Sequence, residues 1–282
     1  MVEPSKSQPA PDERETVEPR ASFIMAINRD NPWLEQAIQS VLSQDEPRFE
    51  FLIGANACDD SLWFKLSEYA AQDRRIRLSR SSIGQLSFNL NLLADQAMTP
   101  YLVRMDADDV CLPNRLSTLL AAMERDCLDV LGSAVAIIDE DSREIGVMSF
   151  PLSAKAISRA LTRRTVFCHP AVMVRKQFLL DMRGYLGGFV SEDTDLWLRA
   201  ERQGARMANL PEILLHYRVH HNQSIMSSLG YAEVASHWLR ECLLRPSFRN
   251  VGGLLVSLGK CLMARWAPGI RRYLKPRSRG TS

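Results

Sequence analysis

Between residues 21 and 125, apolar runs of strand length alternate with longer segments whose apolar residues recur at helical spacing. The first run ends at Ile27, and Asn31 and Pro32 then supply an N-cap and a first-turn proline for a helix. The apolar positions of that helix fall at i, i+3, i+4, i+7 and i+8, namely Leu34, Ala37, Ile38, Val41 and Leu42. Three more pairs follow, with strands predicted over residues 49–53, 76–78 and 101–103 and helices over 59–71, 86–97 and 116–123. This alternation favours a mostly parallel sheet covered by helices on both faces.

The second half of the chain is less regular. Its pattern predicts strands over residues 130–138, 144–148, 165–174 and 213–219. A turn is predicted over residues 139–142 and a helix over residues 192–203. The sequence contains no internal repeat. With 282 residues, the chain is long enough to bury a sizeable core in one or two domains.

The fourth predicted strand runs into a cluster of acids. Asp106, Asp108 and Asp109 place three carboxylates within four residues, and Pro113 can then open a helix. The acids therefore lie where a strand ends, at the edge of an α/β sheet where ligands usually bind. Neighbouring carboxylates repel one another unless water or a cation screens them, and Mg²⁺ or Mn²⁺ prefers oxygen ligands. We interpret Asp106 and Asp108 as ligands of such an ion, and the alternative is a solvated acidic turn that caps the next helix.

A second acidic cluster, residues 191–195, lies at the start of the helix predicted over 192–203. Acids in a first turn are expected from the helix dipole alone, so capping is the alternative to a catalytic role. A carboxylate such as Asp193 can act as a general base where it reaches a substrate hydroxyl. Of the histidines, His220 is a candidate metal ligand or phosphate donor, whereas His169 has the apolar surroundings of a structural residue.

Composition bounds the class of protein. The apolar fraction of 46% and the charged fraction of 24% are ordinary for a globular protein. Residues 1–20 contain four prolines and almost nothing to bury, which predicts a disordered leader. The six cysteines show no paired spacing, and no segment has the apolar length of a signal peptide or a spanning helix. These features together predict a cytoplasmic location.

Residues 235–282 differ in charge from the folded domain predicted over residues 21–234. They hold ten Lys or Arg and one acid, which leaves 25 basic and 32 acidic residues to the preceding part of the chain. Trp266 and Tyr273 are interleaved with these charges, and a basic amphipathic helical tail of this kind fits an anionic membrane surface. The alternative is a helical hairpin that packs on the body with its Lys and Arg in solvent. The acidic body and the lack of a binding motif argue against nucleic acid as a partner.

Several segments, taken in order, resemble those of one enzyme family. They are residues 22–25, 37–44, 104–109 with 112–116, 169–173 with 184–185, 192–199, and 217–220 with Ser224 downstream. The chain is similar over residues 21–227 to the inverting family 2 glycosyltransferases. The resemblance implies the α/β GT-A fold, a Rossmann-like three-layer sandwich with a mostly parallel central sheet, here followed by C-terminal helices.

The resemblance also implies an activity and a site. The enzyme would be metal-dependent and would move a sugar from a nucleotide-sugar donor to a hydroxyl acceptor. Together with the basic tail, this predicts bacterial cell-surface polysaccharide synthesis on a saccharide or lipid-linked acceptor, in the cytoplasm and at the inner face of the cell membrane. By this resemblance Asp108 would be the direct ligand of Mn²⁺ or Mg²⁺, and Asp106 would contact the ion or the ribose of the nucleotide. Asp193 would be the base that deprotonates the acceptor. It places His220 near the metal or the diphosphate, and His169 near the donor or acceptor pocket.

The chain departs from the family at the ends of its first two strands. The family usually has Asp-Asp-Gly-Ser after the second strand, where an aspartate reads the uracil ring, and this chain has Gly-Ala-Asn-Ala-Cys over residues 54–58. Gly54 and Ala55 have no side chain that hydrogen-bonds a base, and Asn56 can do so. The resemblance favours a UDP-sugar as the donor, and the departure at this stretch leaves the base open. The first strand ends in Ala-Ile-Asn-Arg in place of Pro-Val-Tyr-Asn, which makes Asn28 a candidate nucleotide contact. Two alternative functions remain, a non-catalytic nucleotide-sugar binder or assembly protein at the membrane and a nucleotidyltransferase that releases pyrophosphate.

Overall fold

The structure of the protein is a computed structural model that describes residues 18–186, 188, 190–221 and 228–266. The strands of this part form one sheet, and they are β1 (Ala21–Ile27), β2 (Phe49–Asn56), β3 (Ile76–Ser81), β4 (Tyr101–Arg104), β5 (Val110–Cys111), β6 (Val130–Ile138), β7 (Glu144–Met148), β8 (Met173–Arg175) and β9 (Met207–Arg218). The helices are α1 (Leu34–Leu42), α2 (Asp60–Gln72), α3 (Leu86–Gln96), α4 (Arg115–Arg125), α5 (Ala154–Ala160), α6 (Lys176–Asp181), α7 (Glu192–Arg202), α8 (Ser228–Leu244) and α9 (Phe248–Trp266). A 3₁₀ turn covers His169–Ala171.

Across the sheet the described strands lie in the order β3-β2-β1-β4-β8-β6-β9-β5, with β7 paired to β6. The neighbours β3, β2, β1 and β4 are parallel. Strands β6 and β9 run in the same direction as these, because β4 and β6 each pair antiparallel with β8. Of the described strands, β5, β7 and β8 run the opposite way. The sheet is therefore mostly parallel, as the sequence predicts.

Side chains of the central strands alternate between two apolar layers, one on each face of the sheet. On β1, Phe23 and Met25 belong to the layer that includes α1, α2 and α4. Ile24, between them, belongs to the layer that includes α3 and α5 to α8. The apolar stripe of each helix fixes that helix to its face because burying it removes apolar surface from water. The predicted three-layer α/β sandwich is confirmed.

The parallel half of the sheet brings the carboxyl ends of neighbouring strands to one edge. Ile27 of β1 is in register with Ala55 of β2, and Ile24 of β1 with Arg104 of β4. The chain leaves β4 through Met105, whose N–H donates to Ile24 O at 3.0 Å. The acids that follow Met105 therefore lie at this carboxyl edge, beside the segments that follow β1 and β2.

Some local predictions were wrong. Helix α1 begins at Leu34 and not at Pro32, because the Asn31 carboxamide accepts the Trp33 N–H at 2.9 Å and holds a separate turn before the helix. The strand predicted over 165–174 is confined to β8, because the segment with Pro170 forms the 3₁₀ turn, which tolerates a residue without an N–H. The sequence pattern did not reveal α5, α6 or β5, and β9 begins earlier than predicted.

The hairpin of α8 and α9 packs on α7 and continues the layer that contains α3. Trp238 of α8 is 1% exposed within that layer. Arg240 of α8 pairs with Asp195 of α7, and Arg202 of α7 pairs with Glu241 of α8. Helix α8 runs across residue 235 without a break, so this part of the predicted tail packs on the body.

The domain boundaries at residues 20 and 234 stay predictions. Residues 1–17 and 267–282, which hold most of the predicted leader and the most basic part of the predicted tail, lie outside the described residues. Among the helices that the structure describes, none combines the length and the apolar character needed to cross a bilayer.

Candidate active site

Three carboxylates follow β4 in a tight cluster. Asp106, Asp108 and Asp109 each offer an oxygen, and these oxygens all lie within 4.8 Å of one another. The side chains of Asp106 and Asp108 keep 32% and 22% of their surface exposed, whereas Asp109 is buried. The two accessible carboxylates are thus the two that the sequence nominated as metal ligands. A cluster of carboxylate oxygens suits a hard divalent cation.

Asp109 anchors the cluster to β9. Its Oδ1 accepts the backbone N–H of Arg218 at 2.8 Å, and the buried Arg218 guanidinium donates to Asp108 O, also at 2.8 Å. The same guanidinium donates to Gln36 Oε1 of α1 at 2.8 Å. Burial and the charges of Asp106 and Asp108 raise the pKa of the Asp109 carboxyl well above its usual range. A cation bound at this loop would favour the ionised form of the Asp109 carboxyl.

His220, two residues after β9, extends the cluster. Its Nε2 is 3.0 Å from Asp108 Oδ2, and its ring packs on Trp33 with 4.9 Å between the ring centroids. The Trp33 ring is also 5.0 Å from the Arg218 guanidinium. Nδ1 of His220 is buried and has no hydrogen-bond partner among the described residues. The packing against Trp33 keeps Nε2 directed at the acids, as a metal ligand at this position requires.

Arg104, the last residue of β4, connects this cluster to a second group of ionisable side chains. It is buried, and its guanidinium forms an ion pair with Asp106. Burial raises the pKa values of Glu192 and Asp193, and the charge of Arg104 partly offsets the rise in both. Burial lowers the pKa of His169 well below its usual range, and the charge of Arg104 lowers it further. The charge of Arg104 therefore acts on predicted site residues from three segments, namely Asp106 after β4, Asp193 on α7 and His169 before β8.

Glu192 and Asp193 begin α7 and have unequal surroundings. Oδ1 of Asp193 accepts the Thr194 N–H at 2.6 Å and the Thr194 hydroxyl at 3.3 Å. Glu192 is 8% exposed, and its Oε1 lies 3.8 Å from His169 Nδ1. Burial and the charge of Asp193 raise the pKa of Glu192 to about 7. Burial therefore favours the protonated form of Glu192, whereas Thr194 donates two hydrogen bonds to the Asp193 carboxylate and favours its ionised form.

The raised pKa of Glu192 predicts how stability depends on pH. This carboxyl loses its proton near pH 4.5 in the unfolded chain and near pH 7 in the folded protein. Between these values the folded state binds more protons, so the contribution of Glu192 to the free energy of unfolding falls by about 3 kcal/mol as the pH rises. We expect Glu192→Gln to reduce this decline by about that amount in urea titrations across that window, and the exposed Glu68→Gln to leave it unchanged. A decline as large in Glu192→Gln as in the parent protein would contradict the assignment.

His169 lies in the 3₁₀ turn before β8, and its Nε2 is 3.0 Å from the Tyr185 hydroxyl. Asn91 of α3 clamps the backbone of Tyr185, accepting its N–H at 2.8 Å and donating to its carbonyl at 2.9 Å. Gly184 is required beside this clamp, because its φ is +67° and a Cβ there would lie 2.3 Å from Asn91 Oδ1. The sequence did not nominate Tyr185 or Asn91 as site residues. The signal that pointed to this region was the family-like Gly184-Tyr185 pair.

The two asparagines predicted to contact a nucleotide follow neighbouring strands to the same edge. Asn28 follows β1 and is exposed. Asn56 ends β2, is 5% exposed, and contacts Gly54 O through its amide nitrogen at 3.5 Å. At Gly54 a Cβ would come within 3.3 Å of Leu93 on α3. A larger residue at position 54 would therefore require the Leu93 side chain to shift by a few tenths of an ångström.

A cavity of about 870 Å³ lies at the other edge of the sheet, at the start of β2 and β3. Phe49 lines it, together with Arg75 and Arg77. These two arginines are already paired, with Asp73 and Glu50 respectively. The candidate active site is at the opposite ends of the strands, where the acids converge.

Comparison with known proteins gives matches over most of the chain. The family model described as glycosyl transferase family 2 matches residues 22–183. The O-antigen biosynthesis glycosyltransferase WbnJ of Escherichia coli is 37% identical over 245 residues, which make up 86% of this chain and 96% of that protein.

Two solved structures share the fold. S. aureus TarS 1–349 in complex with UDP has a TM-score of 0.66 at 17% identity, covering 91% of this chain and 76% of that one. The mannosyltransferase PcManGT from Pyrobaculum calidifontis, in complex with GDP-Man and Mn²⁺, has a TM-score of 0.63 at 13% identity, covering 93% of this chain and 82% of that one. At these identities the likeness concerns the fold alone, and it agrees with the GT-A architecture predicted from the sequence.

Proposed function

The chain belongs to glycosyltransferase family 2, and from this membership we propose a metal-dependent, inverting transfer of a sugar from a nucleotide-sugar donor to a hydroxyl acceptor. The observation that carries the proposal is the cluster of Asp106, Asp108 and Asp109, whose oxygens lie within 4.8 Å of one another after β4. Asp106 also pairs with the buried Arg104, and the charge of Arg104 favours the ionised form of Asp193. We assign the donor diphosphate to the cluster and the acceptor hydroxyl to Asp193.

Asp106 and Asp108 would hold Mn²⁺ or Mg²⁺, with His220 as a further ligand. The accessible oxygens of the two aspartates and the His220 Nε2 directed at Asp108 support this set. A bound divalent ion supplies Lewis-acid stabilisation of the negative charge that develops on a leaving diphosphate. The contribution of the chain itself is to fix the loop in advance, through the bonds of Asp109 and Arg218.

Asp193 would be the base. Burial raises the pKa of its carboxyl, which makes the ionised form a stronger base than an aspartate in water. Both hydrogen bonds from Thr194 go to Oδ1, so we assign Oδ2 to the acceptor. The acceptor hydroxyl gives its proton to that oxygen, its own oxygen bonds to the anomeric carbon, and the bond from that carbon to the diphosphate breaks. Attack opposite the leaving group inverts the anomeric centre and needs only one base.

The donor nucleotide would contact Asn28, Asn56 and Asp106, and His169 would face the donor or acceptor sugar. The positions of the two asparagines after β1 and β2 support this, as does the pairing of Asp106 with Arg104. We favour a UDP-sugar because TarS was solved with UDP. The GDP-Man complex of the mannosyltransferase makes guanosine the alternative base.

We assign the reaction to the synthesis of a bacterial surface polysaccharide, because the Escherichia coli relative is named an O-antigen biosynthesis glycosyltransferase. The acceptor would be a saccharide or a lipid-linked saccharide. Such an acceptor fits a cytoplasmic enzyme that is peripheral on the inner face of the cell membrane, and the basic sequence of residues 235–282 suits anionic lipid.

A thermal-shift screen tests the donor assignment. We expect a UDP-sugar with Mn²⁺ to raise the melting temperature more than the same sugar without a divalent ion, and more than GDP- or dTDP-sugars. A ligand that binds only the folded state adds about 2.7 kcal/mol to the free energy of unfolding at a hundredfold excess over its Kd. Donor binding without Mn²⁺-dependent transfer would instead favour the non-catalytic binder. Release of pyrophosphate would favour the nucleotidyltransferase, and no shift with any donor would contradict all three.

A further inference from the structure

Helix α9 exposes a continuous row of apolar side chains. The row is termed the α9 stripe, its members are between 44% and 101% exposed, and they are Phe248, Val251, Leu255, Leu258 and Leu262. At 3.6 residues per turn they fall within an arc of roughly 80° and extend over about 21 Å of helix. Leu239, Leu243 and Leu244 at the end of α8 are exposed as well. Exposed apolar rows of this size usually mark an interaction surface.

The opposite side of α9 attaches the hairpin to the body. Gly253 is buried there, and a Cβ at this position would come 2.4 Å from the Trp238 ring. Two cations of α9 also contact the body, since Arg249 pairs with Glu201 and Lys260 donates to a backbone carbonyl at 2.6 Å. The sequence pattern had suggested that a packed hairpin would turn its Lys and Arg to solvent. Arg249 and Lys260 differ from this expectation, and the α9 stripe is exposed in their place.

We propose that the α9 stripe docks in the surface of an anionic lipid bilayer. Helix α9 is amphipathic, with the apolar stripe on one side and the cations Arg249 and Lys260 on the other, and such a helix fits the plane of the interface. The stripe contains no charge, and the sequence beyond it, residues 267–282, has five Lys or Arg and no acid. Anionic headgroups attract such a segment. A second copy of this chain is a poorer occupant because it would bring two of these basic segments together.

This docking would present a lipid-linked acceptor to the proposed base, a step that rests on the proposed function. Helix α8, which packs on α9, bonds directly to the residues that precede Asp193. Glu233 Oε2 accepts the Ser191 hydroxyl at 2.9 Å, and His237 Nε2 lies 3.1 Å from that hydroxyl. The hairpin that carries the stripe is therefore in contact with the start of α7.

Vesicle sedimentation of the full chain tests the docking without any assay of activity. The probes are phosphatidylcholine vesicles with and without phosphatidylglycerol. The stripe variant is Leu255→Glu with Leu258→Glu, and the matched control is Phe64→Glu with Met98→Glu, which adds the same charge at exposed apolar positions elsewhere. We expect phosphatidylglycerol vesicles to bind the parent protein, the stripe variant to bind about tenfold or more weakly, and the control to change by less than about twofold.

Two results would overturn the proposal. Equal loss of vesicle binding in both double variants would mean that net charge, and not the α9 stripe, binds the protein to the vesicle. A dimer in light scattering that the stripe variant dissociates, with no vesicle binding by either protein, would make a second copy the occupant. Sugar transfer to a water-soluble acceptor tests the proposed function independently of membrane docking. We expect the stripe variant to keep this activity. If the parent protein lacks that transfer, the proposed function fails while sedimentation still decides the docking.

Discussion

Asp193→Asn is expected to bind the donor as the parent protein does and to lose about 10²- to 10⁴-fold in kcat, the usual contribution of a positioned general base. The asparagine side chain has the same size, and its oxygen can still accept the Thr194 N–H that holds the carboxylate in place. It cannot take up the acceptor proton at neutral pH. The variant therefore loses the chemical step and keeps the site.

The measurement is single-turnover transfer together with the donor-induced thermal shift. Asp181→Asn, on the exposed surface of α6, is the matched control, and it is expected to leave both quantities unchanged. Since burial raises the pKa of Asp193, the acid limb of the transfer rate of the parent enzyme is expected above the pH at which an ordinary aspartate ionises. Near-normal turnover in Asp193→Asn would exclude Asp193 as the base and make Glu192 the candidate.

The first half of the fold was predictable because its elements are long and periodic. Helix α4 shows why, since Leu116, Leu119, Leu120 and Met123 recur at helical spacing and are all buried. Helices α5 and α6 have seven and six residues, too few turns for a periodic pattern to be distinguished from a loop. The segment around His169 reads as a strand because it is apolar. Only the tertiary contacts of that segment reveal the turn, which ends before β8.

The candidate site was predictable to the extent that its residues are adjacent in sequence. The aspartates at 106 and 108 are visible as one motif after a strand. Other contacts of the site join residues that are far apart in the chain. These are the hydrogen bond between Asn91 and Tyr185 and the packing of Trp33 on His220, and no local sequence pattern predicts such pairs. The exposed face of α9 was missed for a related reason. Periodicity shows that a helix has an apolar side, but it does not show which side the body covers.

Asp108→Asn is expected to abolish the effect of Mn²⁺ on donor binding and to lower transfer by about 10³-fold, because the metal contributes several kcal/mol of charge stabilisation. An amide oxygen is a weaker ligand for a hard cation than a carboxylate oxygen. The metal-free variant is expected to keep its stability. The substitution weakens the contact with His220 Nε2, which lowers the free energy of unfolding. It also removes one of three adjacent negative charges, which raises that free energy, because burial and the charge of Asp106 disfavour the ionised form of Asp108 and raise its pKa.

Two measurements distinguish loss of metal binding from loss of folding in Asp108→Asn. The first is the melting temperature with and without Mn²⁺ at saturating donor, where the variant should show no difference between the two conditions. The second is Mn²⁺ binding itself, followed by electron paramagnetic resonance, which needs no turnover. Asp126→Asn removes an exposed carboxylate at the end of α4 and serves as the control with an unchanged response. Full transfer by Asp108→Asn, or parent activity in excess chelator, would show that the leaving diphosphate is stabilised by side chains such as Arg104 and not by an ion on this loop.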